Sequence, residues 1–324
     1  MRALSKEFIA DLKSEDGLLH PILDRVKNDN TLMLAVRNGY INIYYRGGNL
    51  LRITEQKRGS YKAEFNVNYN ITGKTVPERP TKINSHLDAI QWVAAFPHIK
   101  ELMDIYFSKL NKPEREFQQL IVRENNFSNI SNESEYFISD IEFADSISGV
   151  RLDLLAVCWP ATQRKNGEKC RAALIEMKYG DGALGGSAGL LKHLQDMDVL
   201  VSDPDKYKTL LETMESQFNQ LEELDLLTFN RCTNGTKVKL SANDKPEVII
   251  ILADHNPRSI KLLTVLETPE VITFGRSEKF DLRFHVSSFA GYALHSDNMC
   301  TLDQFGKLLG IQSKKNIQKR LSNV

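Results

Sequence analysis

Cysteine is scarce and scattered. Cys158, Cys170, Cys232 and Cys300 form no Cys-x-x-Cys pair, which argues against a zinc ribbon or a disulfide framework and suits a reducing compartment. Long apolar runs are missing too: Val248-Ile249-Ile250-Ile251-Leu252-Ala253 falls far short of the roughly 20 residues that a membrane span needs, so no membrane partner is expected. Met1 to Glu7 leads into no signal-peptide core, and the expectation is a cytoplasmic protein. Neither sign of charge prevails. Lys plus Arg and Asp plus Glu number 42 each, so any grip on a nucleic acid must come from local patches rather than from a global field. The seven histidines show no His-x-His or His-Glu-x-x-His pattern, and Gly180 to Gly189 lacks the Gly-Lys-Ser/Thr ending of a P-loop, which leaves a strand-to-helix connection. There is no internal repeat and no long low-complexity stretch.

What the chain does have is length and patterning. With 324 residues it can hold one large domain or two ordinary ones and bury a sizeable core. After a polar opening, residues 31–37, 40–46, 50–53 and 61–67 alternate as strands, and Asn38-Gly39 supplies the positive φ of a tight hairpin. Residues 1–110 therefore read as one unit, an N-terminal antiparallel β-meander plus a bridging helix over Leu87 to Leu110 with Trp92, Phe96, Ile99, Leu102, Ile105 and Tyr106 along one face. Asn111-Lys112-Pro113-Glu114-Arg115-Glu116 is a helix start, with Pro suited to the first turn and acids to the positive end of the dipole. From there the order is helix (113–125), strands (136–143, 151–157 and 171–178), a long helical region broken at Asp203-Pro204-Asp205, and a strand (247–253). A helix from Pro257 to Leu266 and a last strand over Phe280 to Val286 follow. The fold class is α+β (mixed α/β), with residues 111–324 as the second domain and its C-terminal extension.

Ala172 to Tyr179 is an apolar strand with one chemically active face. Side chains two apart project the same way, so Glu176 and Lys178 share a face while Ile175 and Met177 take the other. Upstream, Asp153 is an isolated carboxylate in Arg151 to Val157. Two carboxylates on neighbouring strands would hold a hard divalent cation, and the Lys178 ammonium beside it could orient or help deprotonate an attacking water and offset transition-state charge. The competing reading is an ordinary cross-strand ion pair.

At this point the chain resembles the PD-(D/E)xK nuclease superfamily over about Lys112 to Ala253. Asp153 matches the Asp of its second strand, and Glu176 and Lys178 match the Glu-x-Lys of its third. Leu152 stands where Pro often precedes that Asp, and Pro160 to Lys169 reads as an extended hairpin loop. The resemblance implies a restriction-endonuclease-like core (helix, three-stranded meander, helix, strand). It also implies Mg²⁺- or Mn²⁺-dependent hydrolysis of DNA, in restriction, defence or repair, with RNA as the other polymer and a homodimer compatible with the pattern. It further implies metal ligands Asp153 and Glu176, Lys178 as the water-orienting base, and an acid from the first helix. Glu114 and Glu116 compete for that last role. Glu114 is preferred because Glu114-Arg115, with Phe117 and Ile121 behind it, resembles the start of archaeal junction resolvases. In the helix after the signature a Gln or basic residue often faces the site. Leu190, Leu191, Leu194 and Met197 make the buried stripe, His193 and Gln195 flank it, and Gln195 matches best. The other functional reading is a catalytically inactive nuclease-fold module that binds nucleic acid or protein.

Outside that set, Arg164, Lys165, Lys169 and Arg171 could grip a phosphate backbone or simply be solvated. Tyr40, Tyr44 and Tyr45 could stack on bases or pack the sheet. The basic tail with Lys307, Lys314, Lys315, Lys319 and Arg320 reads as a solvated helix or a phosphate contact, whereas the acidic surface of residues 203–225 is unsuited to DNA.

Overall fold

The computed structural model describes residues 2–57, 59–110, 112–127, 134–144, 150–166, 169–186, 188–229, 237–256, 258–287 and 291–310. Asn111, Ser187, Cys232, Pro257, Lys314, Lys315, Lys319, Arg320 and the Lys165 side chain lie outside the described residues.

The polar opening is in fact two short helices, α1 (Lys6–Lys13) and α2 (His20–Lys27). Ser5 caps the first by accepting from the Phe8 N–H at 3.0 Å. Eight residues make a marginal helix alone. Burial of Phe8, Ile9 and Leu12, and of Ile22, Leu23 and Val26, supplies what local propensity does not.

The meander follows as β1 (Leu32–Val36), β2 (Tyr40–Tyr45), β3 (Gly48–Lys57), β4 (Ser60–Glu64) and the short β5 (Lys82–Ile83), all antiparallel in that order. Gly39 turns the first hairpin at φ +71°. Helix α3 (His86–Lys109) opens on a Ser85/Asp88 capping box and buries Trp92, Phe96, Ile99 and Leu102 as the periodicity requires. The stripe then drifts to Met103 and Phe107, leaving Ile105 and Tyr106 half-buried.

Helix α4 (Pro113–Asn126) leads into the second sheet. Strands β6 (Tyr136–Ala144), β7 (Arg151–Cys158) and β8 (Arg171–Tyr179) form an antiparallel meander. After α5 (Leu190–Ser202) and α6 (Pro204–Glu223), β9 (Glu247–Ala253) pairs parallel to β8. After α7 (Ile260–Leu266) and α8 (Pro269–Phe274), β10 (Asp281–Val286) pairs parallel to β9, and α9 (Leu302–Leu308) follows. Parallel neighbours need such crossovers, which is why helical runs lie between them. One face of this sheet packs Leu174, Val248 and Ile250 against Leu194 and Met197 of α5. The other packs Ile175, Met177 and Ile249 against Ile121 and Val122 of α4. A further core unites Phe8, Ile43, Leu51 and Trp92 with Phe137, Trp159 and Phe218, so the two sheets share buried surface.

Polar ties cross the same junction. Asp140 on β6, almost fully buried, is bonded by the guanidinium of Arg37 from the β1–β2 turn and accepts from Arg2 Nη1 at 2.8 Å; Arg37 Nη2 also donates to the Ile141 carbonyl at 2.6 Å. Gln220 of α6 exchanges two hydrogen bonds with the Leu4 backbone, at 2.9 and 3.0 Å. The β2–β3 turn seats α4. Gly47, at φ +71°, donates to Gln119 Oε1 at 2.7 Å, and a Cβ there would lie 2.5 Å from the Arg115 backbone. Gly47→Ala therefore combines left-handed strain with a backbone clash and should cost about 2–4 kcal/mol in a urea titration.

Among the described residues no helix is long and apolar enough to cross a membrane.

Candidate active site

The site forms where the sheet comes apart. The β7–β8 register runs from Cys158↔Arg171 to Leu154↔Ile175 and stops, so the next residues along, Asp153 and Glu176, face each other just beyond the last pair. There Asp153 Oδ2 accepts the Met177 N–H at 2.8 Å, taking the place of a ladder carbonyl. β9 still supports β8 from its other edge as far as Tyr179↔Ala253. The active face is therefore held on one side and open on the other.

Glu176 and Lys178 share the face of Leu174, the one covered by α5. Both are buried, at 3% and 4% exposure, and Lys178 Nζ lies 2.6 Å from Glu176 Oε1 and 3.2 Å from the Ala188 carbonyl. Helix α5 contributes His193, whose Nε2 stands 3.1 Å from the same Glu176 oxygen. Gln195, the residue that the resemblance favoured, is exposed instead; the rotation set by burying Leu190, Leu194 and Met197 turns the His193 flank to the sheet. The two candidate acids of α4 also separate. Glu116 is paired with Arg46 at 3.0 Å, while Glu114 sits within electrostatic reach of both Asp153 and Glu176.

Glu142 joins the cluster without any sequence signal. It falls between the pairs Ile141↔Leu154 and Phe143↔Leu152, and it has φ +50°. Phe143 and Leu152 pack in one core and Ile141 and Leu154 in the opposite one, although residues two apart on a strand ordinarily share a face. The pleat turns over at Glu142, which brings its carboxylate towards Asp153 and Glu114 and 2.6 Å from Arg115.

Burial and crowded negative charge set the electrostatics. Asp153 is pushed up to about 6 by burial and by Glu114 and Glu142, against the pull of the Met177 N–H and Lys178. Glu176 is pushed up to about 8 by burial and by Asp153, with Lys178 opposing. His193 is held down at about 4 by burial and the Lys178 charge, so it is neutral at pH 7 and can donate from Nε2 to the carboxylate.

The donors fit a divalent cation of oxygen preference. Glu176 Oε2 is buried without a hydrogen-bond partner, and Asp153 and Glu114 crowd further negative charge around it. Among the described residues no three of His, Cys, Asp and Glu stand close enough to hold a metal by themselves. Mg²⁺ asks for less, since it is commonly bound through one or two carboxylates together with water and substrate oxygens.

Asp153→Asn separates charge from shape here. A carboxyl that releases its proton at 3.8 unfolded and near 6 folded makes its full contribution to stability below pH 4, and that contribution is lost as the pH rises through 6. The amide removes the loss. At pH 8 and without metal, Asp153→Asn should raise stability by roughly 1–3 kcal/mol, with the gain vanishing near pH 4, as read by thermal melts across pH.

Most of the other singled-out residues are engaged within the fold. Buried Arg164 donates from Nε to the Trp159 carbonyl at 3.0 Å and lies over the Phe137 ring. Arg171 holds Glu247 and, at 2.9 Å, Asp281. Tyr44 is buried with its hydroxyl beside Asn42, Tyr45 donates to Asp104, and Tyr40 lies under Arg52. Exposed Lys169 has φ +64°.

Comparison with protein-family models, with curated proteins and with solved structures returns no match. The site's own geometry is thus what bears on function.

Proposed function

We propose that the chain is a Mg²⁺- or Mn²⁺-dependent nuclease that hydrolyses DNA phosphodiester bonds, in keeping with its resemblance to the PD-(D/E)xK superfamily and a restriction-endonuclease-like core. The observation that carries this reading is the meeting of Asp153 and Glu176 at the end of the β7–β8 ladder, with Lys178 on Glu176 and one Glu176 oxygen buried and unpartnered. Asp153 and Glu176 would hold the cation, with Glu114 as the accessory acid. When bound, such an ion polarises the phosphate and lowers the pKa of a coordinated water.

The chain's own groups do the rest. His193 and Lys178 both engage Glu176 Oε1, which fixes the rotamer and leaves Oε2 as the donor. The Met177 N–H does the same for Asp153. Lys178, steadied by the Ala188 carbonyl, presents N–H donors that orient the attacking water and offset the charge growing on the phosphoryl oxygens.

Purified protein incubated with plasmid, linear and single-stranded DNA and with RNA, in Mg²⁺, Mn²⁺ or EDTA, beside Asp153→Ala and Lys178→Ala, tests the reading. Metal-dependent cleavage lost in both variants is the expected outcome; wild type and variants behaving alike would sink it. The second reading, a nuclease-fold module that binds without cutting, is favoured by the tight Lys178–Glu176 pair. It predicts that indifferent result.

A further inference from the structure

Beside the site, on the opposite face of β8, three half-exposed rings stand in a stack. Phe117 of α4 lies between Tyr179, the residue after Lys178, and Tyr292, with ring centroids 5.2 and 5.4 Å apart and planes 24° apart in both pairs. The Tyr179 hydroxyl is further held by Asp254. Stacked rings fixed in this way have little freedom left to lose when a further flat group joins them.

A cavity of about 540 Å³ opens against this stack, between α4 and the first sheet. Phe117 and Tyr179 line it together with Tyr45, Phe127, Arg46 and Arg123, while Tyr292 does not. Tyr179 is therefore the end of the stack that meets the cavity. Arg46 is fixed by Asp104 and Glu116, and Arg123 pairs with its neighbour Glu124 at 3.1 Å. The volume is within the range of sites for nucleotide-sized ligands, and aromatic walls with guanidiniums at the edge match a base and its phosphate. The cavity at the far end of the sheet offers no such match. Tyr136 is the one aromatic ring among the described residues that line it, and the acids Glu135, Asp244 and Glu247 stand around it, so that cavity has neither an aromatic wall nor a charge suited to phosphate.

Placement decides which polymer suits both features. Tyr179 directly follows Lys178 in the chain, but the two leave β8 on opposite faces, so α4 is what joins the two features. Glu114, within electrostatic reach of Asp153 and Glu176, is one turn from Phe117 on the same helix, and a strand with its phosphate at the site can lay the next base against the stack alongside α4. In a duplex that base is stacked between its neighbours and its face is unavailable; only an unpaired or extruded base can lie on a protein ring.

Resting on the nuclease reading, we infer that Tyr179, backed by Phe117 and Tyr292, is a stacking platform for an unpaired nucleobase next to the scissile phosphate, and that the preferred substrate is single-stranded DNA. The stack confers this preference without selecting a base, since every base has a π face.

The full chain with Ca²⁺ in place of Mg²⁺, titrated into a 2-aminopurine-labelled single-stranded oligonucleotide and into the same sequence as a blunt duplex, provides the test. The single strand should bind about ten-fold tighter or more, with quenching of the 2-aminopurine. Tyr179→Leu and Phe117→Leu should each lose about ten-fold on the single strand and little on the duplex, whereas Tyr179→Phe, which keeps the ring, should bind as wild type does. Thermal melts confirm that each variant is folded. Equal affinity for both DNAs, or Leu variants that hold the single strand unchanged, would overturn the platform, and metal-dependent cleavage of plasmid by the same protein would then leave the nuclease reading standing. Ring-dependent binding by a protein that cuts nothing would retain the platform and remove the nuclease.

Discussion

Lys178→Ala is expected to lower metal-dependent DNA hydrolysis by about three orders of magnitude while leaving metal binding in place. Lys178 is buried and held by two oxygens, Glu176 Oε1 and the Ala188 carbonyl, so its ammonium is fixed before substrate arrives. Removing it takes away a positioned donor without touching a proposed metal ligand. Mn²⁺ affinity in the variant should stay the same or rise, because a positive charge beside Glu176 has gone. Asp153→Ala should instead weaken Mn²⁺ binding and activity together. Single-turnover cleavage set against Mn²⁺ titration separates the two. A merely structural ion pair would show lower stability in Lys178→Ala and no such division between the variants.

The second large effect is on folding. Asp140→Ala should destabilise the chain by about 3–5 kcal/mol, because it strands the Arg37 guanidinium where solvent cannot reach it. Arg37 is 4% exposed and is anchored through Asp140 and the Ile141 and Val36 carbonyls, with its own proton held more firmly than usual by the neighbouring carboxylate despite burial. Arg2 loses its carboxylate in the same substitution and keeps the Ala144 carbonyl. Combining Asp140→Ala with Arg37→Met should recover a good part of the loss, since an apolar pair carries no unpaired charge. Urea unfolding of the two single variants and the double variant gives the coupling directly.

Asp153, Glu176 and Lys178 were readable because strand parity is local: two residues apart means one face, whatever the rest of the chain does. Neighbouring elements were readable for the same reason, from α4 through β6, β7 and β8 to β9. What was hidden depended on distant partners. Glu114 and Glu116 look alike at a helix start, and Arg46, seventy positions away, is what engages Glu116. His193 and Gln195 flank one stripe, and only the docking of α5 decides which flank meets Glu176. Glu142 enters through a left-handed φ on a residue that seldom adopts one, a reversal that strand alternation cannot signal. The missed helices α1 and α2 did carry a signal, Ser5 as a cap and Phe8, Ile9 and Leu12 at helical spacing, but eight-residue segments are settled by packing more than by propensity.

The core that joins Phe8, Ile43 and Trp92 to Phe137, Trp159 and Phe218 bears on how such a protein can be rebuilt. A fragment ending at Leu110 would lay one half of that cluster open to water, and the remainder would lay open the other. The first sheet is thus no cassette to be transplanted onto a different catalytic unit. Changes to the cavity between α4 and the first sheet therefore have to be made in place, with both halves of the cluster kept together.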